Sequence, residues 1–574
     1  MRKSERGRWY VAVTLWLAWA AGLAAVWGLA GPLMAQETHA EKCVFEGTAR
    51  NSVTLLALGK AAIRIIPIDG SIGYSGSSKP DGSFRFEGMA AGDYGLEAQR
   101  TGYAAQWVLA DKSGHAISTL HLSPGQVLSG NNLWFTPEGT ISGKVTGPDG
   151  EPLSDASVTL IERKWRRGKR IYVGIDNEAT DDAGVFHFAS VPAGRYWIYA
   201  GRPQRGPLAR SILEAPGNPE MRIAGRYFPN AAQADGAGAI ELRAGEEVTG
   251  VDFKLPLAPV FHLAGAYPGH GVEAGVALKA RYGDQMLDWA GEGASVGKDG
   301  KFDIAGVAPG AYFLYSFESS LHDRLMSAKL PVTVTAQDSA GVAAPPVARF
   351  ALKGRVRVDG DAVPGEIPVR ISCEGSEADD YTSFQRRAEP QSDGTFTISD
   401  LTEDVYTIRI DNLAGKEGGY YLKSLRVNGV DVAGREMDLN GGPVADVELI
   451  LGAAVGSIEG TVVPAEESPD NHAPPDPGES TVVLVPEKVA SGATQPLNAY
   501  LDPSGHFQVA DLEPGSYRVF AVPAYDKGLW QNPGFVRQVA GRGVAVEVAE
   551  KAAVKVEVPA LRTADVRQIE ERME

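Results

Sequence analysis

One phrase returns five times in this chain, and that repetition does most to decide what the chain can fold into. It reads "KPDGSFRFEGMAAGDYGLEAQ" from Lys79, then "DDAGVFHFASVPAGRYWIYA", "GKDGKFDIAGVAPGAYFLYS", "QSDGTFTISDLTEDVYTIRI" and "DPSGHFQVADLEPGSYRVFA". The copies align on Gly82, Gly184, Gly300, Gly394 and Gly505. Two positions later stands Phe84, Phe186, Phe302, Phe396 or Phe507, and ten beyond that Tyr94, Tyr196, Tyr312, Tyr406 or Tyr517. The copies lie roughly 100 residues apart, the size of a domain with its own core rather than of a solenoid unit. The chain is therefore an array of modules.

Each copy opens on an apolar strand interrupted by Gly47, Gly143, Gly265, Gly354 or Gly460. A second strand follows with period-two alternation, which buries one face. Then comes a turn built on Asp and Gly, a hairpin signal because glycine tolerates positive φ. Asp81, Asp182, Asp299, Asp393 and Asp502 read as turn formers. The Phe, and the apolar residue two positions on (Phe86, Phe188, Ile304, Ile398, Val509), should share a buried face. The Tyr is expected beneath the hairpin as a core aromatic. Gly92, Gly194, Gly310 and Gly515 stand two residues before it, but the fourth copy has Asp404, which predicts a different or strained turn there. Glycine (68) and proline (36) are plentiful, as short strands joined by turns require. No stretch between residues 40 and 560 keeps a helical period, and the tail "RTADVRQIEERME" reads as a short helix or nothing.

Several short strands per module in a two-sheet pattern is the sequence form of an immunoglobulin-like sandwich. The succession "ISGKVTGPDGEPLSDASVTL … DDAGVFHFASVPAGRYWIYA" resembles the carboxypeptidase regulatory-like domain, a prealbumin-like sandwich related to starch-binding-like and collagen-adhesin repeats. The expected fold is all-β: five tandem immunoglobulin-like, prealbumin-like β-sandwich modules behind an N-terminal signal or anchor helix. The expected bounds are 1–35 for the signal or anchor, 43–137, 138–257, 258–348, 349–453 and 454–561 for independent modules one to five, and 562–574 for a polar tail. The resemblance implies a carbohydrate-binding-like fold and makes a glycan the first partner class to expect. Fold alone does not fix function.

Arg2, Lys3, Arg6 and Arg8 precede the apolar run "WYVAVTLWLAWAAGLAAVWGLAGPLMA", the pattern of an export signal with cleavage after Ala35. The run is also long enough to span a bilayer, so an uncleaved anchor over residues 10–33 is the alternative. Either way the modules are expected outside the cytoplasm: periplasmic, surface-exposed or extracellular. A net charge of −17 argues against a nucleic-acid partner, since phosphate contacts need a basic face. Cys43 and Cys373 are the two cysteines, expected as isolated buried thiols, because a bridge would need modules one and four to touch.

No catalytic constellation emerges, so the expectation is a protein that is not an enzyme and needs no cofactor or metal. "HGVE" (His270–Glu273) has metal-ligand spacing but sits in a Gly-rich hairpin without catalytic-domain sequence around it. "YGLEAQRTGY", with Glu97 and Tyr103, is similar to the strand carrying the cross-link-assisting Glu of collagen-adhesin repeats, yet no Lys/Asn pair accompanies it. One segment breaks the acidic background: Arg163, Lys164, Trp165, Arg166, Arg167, Lys169 and Arg170 around Gly168. It reads as a protruding hairpin whose cations and stacking Trp suit an anionic ligand, or as a solvated tip. Trp107, Trp289 and Trp530 are further stacking candidates. The functional reading is an exported, non-catalytic binding or spacer protein of the cell envelope with a glycan ligand. The alternatives are a protein-docking or adhesive scaffold and an accessory regulatory subunit of a separate peptidase. A glycan or an envelope protein is the expected partner, with membrane contact only through an uncleaved N-terminal segment.

Overall fold

The structure is a computed structural model. It describes residues 42–67, 72–104, 106–108, 119–166, 169–202, 214–215, 220–269, 273–319, 324–359, 369–375, 386–412, 419–432, 435–444, 446–463, 480–489, 495–501, 505–523 and 528–573. The N-terminal apolar run, Gly168 and His270 lie outside the described residues. Five large cores draw on residues 43–135, 141–255, 263–344, 352–451 and 458–560.

All five cores are built to one plan. In the first sheet the opening strand is central: Cys43–Asn51, Gly139–Thr146, Leu257–Ala266, Phe350–Val358 or Gly456–Val463. The Phe strand pairs with it antiparallel on one side, and the last segment of the module pairs parallel on the other. The second sheet is centred on the second strand and the Tyr strand, antiparallel to each other.

The plan explains the anchors. Gly47 faces Phe84, Gly143 faces Phe186, Gly265 faces Phe302, Gly354 faces Phe396 and Gly460 faces Phe507 across the pair. The ring lies over its glycine: a Cβ on Gly47 would stand 2.7 Å from Phe84 Cζ, and one on Gly354 2.6 Å from Phe396 Cζ. On the other side the carbonyl of the parallel strand (Asn131, Val251, Val342, Val447 or Val556) would collide with the same Cβ. The strand glycine and the hairpin phenylalanine are thus two halves of one contact.

The tyrosines are buried except Tyr312, which is half-buried. In four modules the hydroxyl donates to the carbonyl four residues earlier: Tyr94 to Ala90, Tyr196 to Pro192, Tyr312 to Ala308 and Tyr517 to Glu513, at 2.6–2.8 Å. In the fourth the Tyr406 hydroxyl instead accepts from Thr402 N–H at 3.0 Å. Asp404 is nearly buried there and caps the turn by accepting from Val405 N–H at 2.7 Å. The turn differs, and Asp404 itself keeps an ordinary negative φ.

The Asp turn formers need one correction. Asp81, Asp299 and Asp393 accept the backbone N–H two residues on, as expected. In module two the acceptor is Asp181, which takes N–H from Ala183 and Val185, and Asp182 is exposed. Asp502 lies outside the described residues. Cys43 and Cys373 form no disulfide and are fully buried, and the Cys43 thiol donates to the Ser123 carbonyl at 3.0 Å.

The modules are not independent, because elements cross between them. Glu220–Ile223 places Ile223 in the second core, yet its backbone pairs with Leu257–Val260 of the strand that opens module three. Glu318 accepts from Tyr267 at 2.7 Å and from Arg349 at 2.6 Å where module three meets module four. Arg435, held at a positive φ, pairs with nearly buried Glu513 at 2.7 Å where module four meets module five.

Candidate functional site: the basic hairpin at a module junction

The basic segment closes the hairpin of Ser157–Arg166 and Lys169–Ala179, paired from Ser157↔Ala179 to Arg166↔Lys169. Val158 and Leu160 face the second core. Alternation then puts Ile161, Arg163 and Trp165 on the opposite face. That face is not solvated. Ile161 packs with Trp197, Tyr227 and Leu287, flanked by Tyr172, Tyr282 and Trp289, in an apolar cluster shared between modules two and three. Trp289 donates to the Tyr227 hydroxyl at 3.1 Å. Gln285 of module three bonds both main-chain groups of Tyr172, accepting its N–H at 2.9 Å and donating to its carbonyl at 2.5 Å. Lys169 reaches Asp284 at 2.7 Å.

Toward its tip the hairpin meets module five. Trp165 packs against a cluster of Val483, Phe520, Leu529, Phe535, Val539 and Val566. Two helices complete that cluster. Pro533–Val539 starts from Asn532, whose side chain accepts from Gly534 N–H at 2.7 Å, and buries Phe535 and Val539, one turn apart. Thr563–Met573 buries Val566 and Ile569. The next residue, Glu570, pairs with Arg163 at 2.9 Å, the two side chains only 14% and 9% exposed. Gly528 sits so close to the Trp165 carbonyl that a Cβ would stand 2.6 Å from it.

These contacts correct the protruding hairpin. Arg163 and Trp165 lie in a junction, and the Arg163 and Arg195 guanidinium groups lie over the Trp197 ring at 5.5 and 5.6 Å, while Lys164 is 3.6 Å from Glu162 of its own strand. The Arg170 guanidinium stacks on Trp165 at 5.0 Å. The Arg166 side chain and Arg167 lie outside the described residues, as does the Trp107 side chain. Trp289 and Trp530 belong to the two junction clusters. No Trp, Tyr or Phe among the described side chains is exposed. No group of three or more potential metal ligands occurs among the described residues. Glu97 is engaged by Arg64 at 2.8 Å and Gln99 at 2.7 Å.

The hairpin, the Gly143–Phe186 contact and the Tyr196 corner all belong to the module that carries the sequence likeness. Residues 140–255 match the model of the carboxypeptidase regulatory-like domain. The array around this regulatory-like domain repeats its plan. No curated protein matches the chain. Among solved structures, the Bacillus anthracis TIE protein is 13% identical with a TM-score of 0.17, and the alignment covers 53% of this chain and 51% of that one. The chain thus spans about half the length of that relative. The major pilin subunit of Bacillus cereus is 10% identical with a TM-score of 0.16, covering 53% and 99%. The minor pilin of Streptococcus agalactiae is 12% identical with a TM-score of 0.21, covering 38% and 97%. At such scores nothing about assembly or activity follows for this chain. No helix among the described residues is long and apolar enough to cross a membrane.

Proposed function

We propose that the chain is a non-catalytic scaffold of the cell envelope, whose modules are braced together to present sheet edges and module surfaces to other envelope proteins. The supporting observation is the hairpin that ties the regulatory-like domain to modules three and five. Aromatic and basic groups that would make a sugar or anion platform on a free tip are used there to join modules. A pure spacer needs only linkers; a brace between residues about 400 positions apart serves to hold surfaces in fixed relation. The export-type sequence of the N-terminus supports an envelope location. A neutral-glycan ligand finds no exposed aromatic platform among the described residues.

Photo-crosslinking from exposed edge-strand positions in intact cells tests this reading, run beside a glycan array of the purified chain. Reproducible crosslinks to envelope proteins, with no saturable glycan binding, are expected. Saturable binding to glycans without protein crosslinks would overturn the scaffold reading. Co-purification with a peptidase whose activity changes on adding the chain would favour an accessory subunit instead.

A further inference from the structure

The junction under the hairpin tip holds two polar atoms that the fold leaves without partners. Trp165 Nε1 and Arg170 Nε are both buried, and neither has a hydrogen-bond acceptor among the described residues. They belong to directly paired residues, and the Arg170 guanidinium stands 5.0 Å from the indole centre. Both are donors only. A buried donor without an acceptor costs the desolvation of that group, so orphans in native folds mark an unseen water, ion or ligand. Two orphan donors side by side ask for one acceptor with more than one lone-pair oxygen.

The surrounding charge selects its sign. Arg163 meets Glu570 of the last helix and Lys169 meets Asp284 of module three, while Lys164 lies beside Glu162 on its own strand. Each of those three carboxylates is already within ion-pair distance of Arg163, Lys164 or Lys169, and among the described residues no carboxylate lies within ion-pair distance of Arg170. The apolar cluster of module five behind Trp165 lowers the local polarity, which strengthens a charged hydrogen bond.

We propose that the junction between the hairpin and module five is a binding site for a single oxyanion, a carboxylate, sulfate or phosphate group, received by Trp165 Nε1–H and Arg170 Nε–H. This differs from a polyanion lying along an exposed finger: the site is enclosed, takes one group, and is shaped by the brace. It stands independently of the scaffold reading, since an anion bound there can strengthen the brace whatever the chain presents outside.

The test uses the full chain, titrated with sodium sulfate, phosphate, acetate or glucuronate at an ionic strength held constant with sodium chloride. Tryptophan fluorescence and thermal unfolding are the readouts. A saturable change with at least one oxyanion but not with chloride is expected. It should weaken at least tenfold in Arg170→Gln and in Trp165→Phe, which removes the indole N–H but keeps an aromatic ring. Tighter binding of sulfate and phosphate assigns an ester group as the source; tighter binding of acetate and glucuronate assigns an acidic sugar or peptide carboxylate. If no oxyanion differs from chloride, the donors are met by water and the proposal is overturned. It is equally overturned if both variants, folded by circular dichroism, titrate as the parent chain does.

Discussion

Gly143 and Phe186 meet face to face in the regulatory-like domain, and neither can change alone. Gly143→Ala drives a methyl into the Val251 carbonyl, which backbone pairing holds in place. Overpacking of this kind costs about 1–3 kcal/mol. Amide exchange of the full chain should show the loss in peptides covering 139–146 and 185–191. Tyr196 separates two contributions of one side chain. Tyr196→Phe removes only the bond to the Pro192 carbonyl and should cost about 1 kcal/mol. Tyr196→Ala also empties the core site and should cost about 3–5 kcal/mol, by comparison with Phe→Ala truncations. Equal losses would mean that the ring contributes nothing. Burial pushes the Cys373 thiol up to about 12, so it stays protonated and unreactive at neutral pH. Because both cysteines are fully buried, a thiol reagent should find neither Cys43 nor Cys373 before unfolding, and both after. These anchors were legible because each repeats five times with fixed spacing. Asp181 was not, because two adjacent aspartates precede one turn and only the backbone decides which carboxylate reaches its N–H groups.

Single strands and helices carry the joints. Glu570 lies on the helix Thr563–Met573 and neutralises Arg163, which is almost fully enclosed. Glu570→Gln removes the charge that faces that guanidinium, and breaking a buried pair from one side costs about 3 kcal/mol. The helix should then exchange its amides faster while the five cores stay protected. At the joint of modules three and four, burial alone would raise the Glu318 carboxyl, but hydrogen bonds from Tyr267 and Arg349 outweigh it and hold it below its ordinary 4.5. A depressed carboxylate stabilises fully above its unfolded value and loses that contribution as pH falls through the lower folded value. Proteolysis near residue 349 should accelerate as pH drops below 4.5, and Glu318→Gln should be cut readily at neutral pH. The two-sided sheets were legible only in hindsight. "YWIYA" at Tyr196–Ala200 and "TVVLV" at Thr481–Val485 are continuous apolar runs, not alternations, and such runs belong to strands covered on both faces. The helix Pro533–Val539 escaped because seven residues give too few turns for a period to show.

Across the whole molecule, the five-fold plan was written in the sequence, but the relation between modules was not, because no local pattern states which outer face meets which. Trp165 and its basic neighbours read as a free tip, since charge runs usually lie in solvent. A zero-length carbodiimide should join Lys169 to Asp284, giving a mass-identifiable peptide that links modules two and three. Absence of that peptide would place the hairpin elsewhere. The brace also sets a timetable. Chains emerge from the N-terminus, and domains fold as they appear. The hairpin is complete once residue 179 has been made, whereas the surface that receives it ends with the last helix, Thr563–Met573. A chain stopped short of that helix leaves the cluster around Trp165 incomplete and Arg163 without Glu570, so unfinished copies are marked, for proteases and chaperones, by the same side chains that lock the finished one.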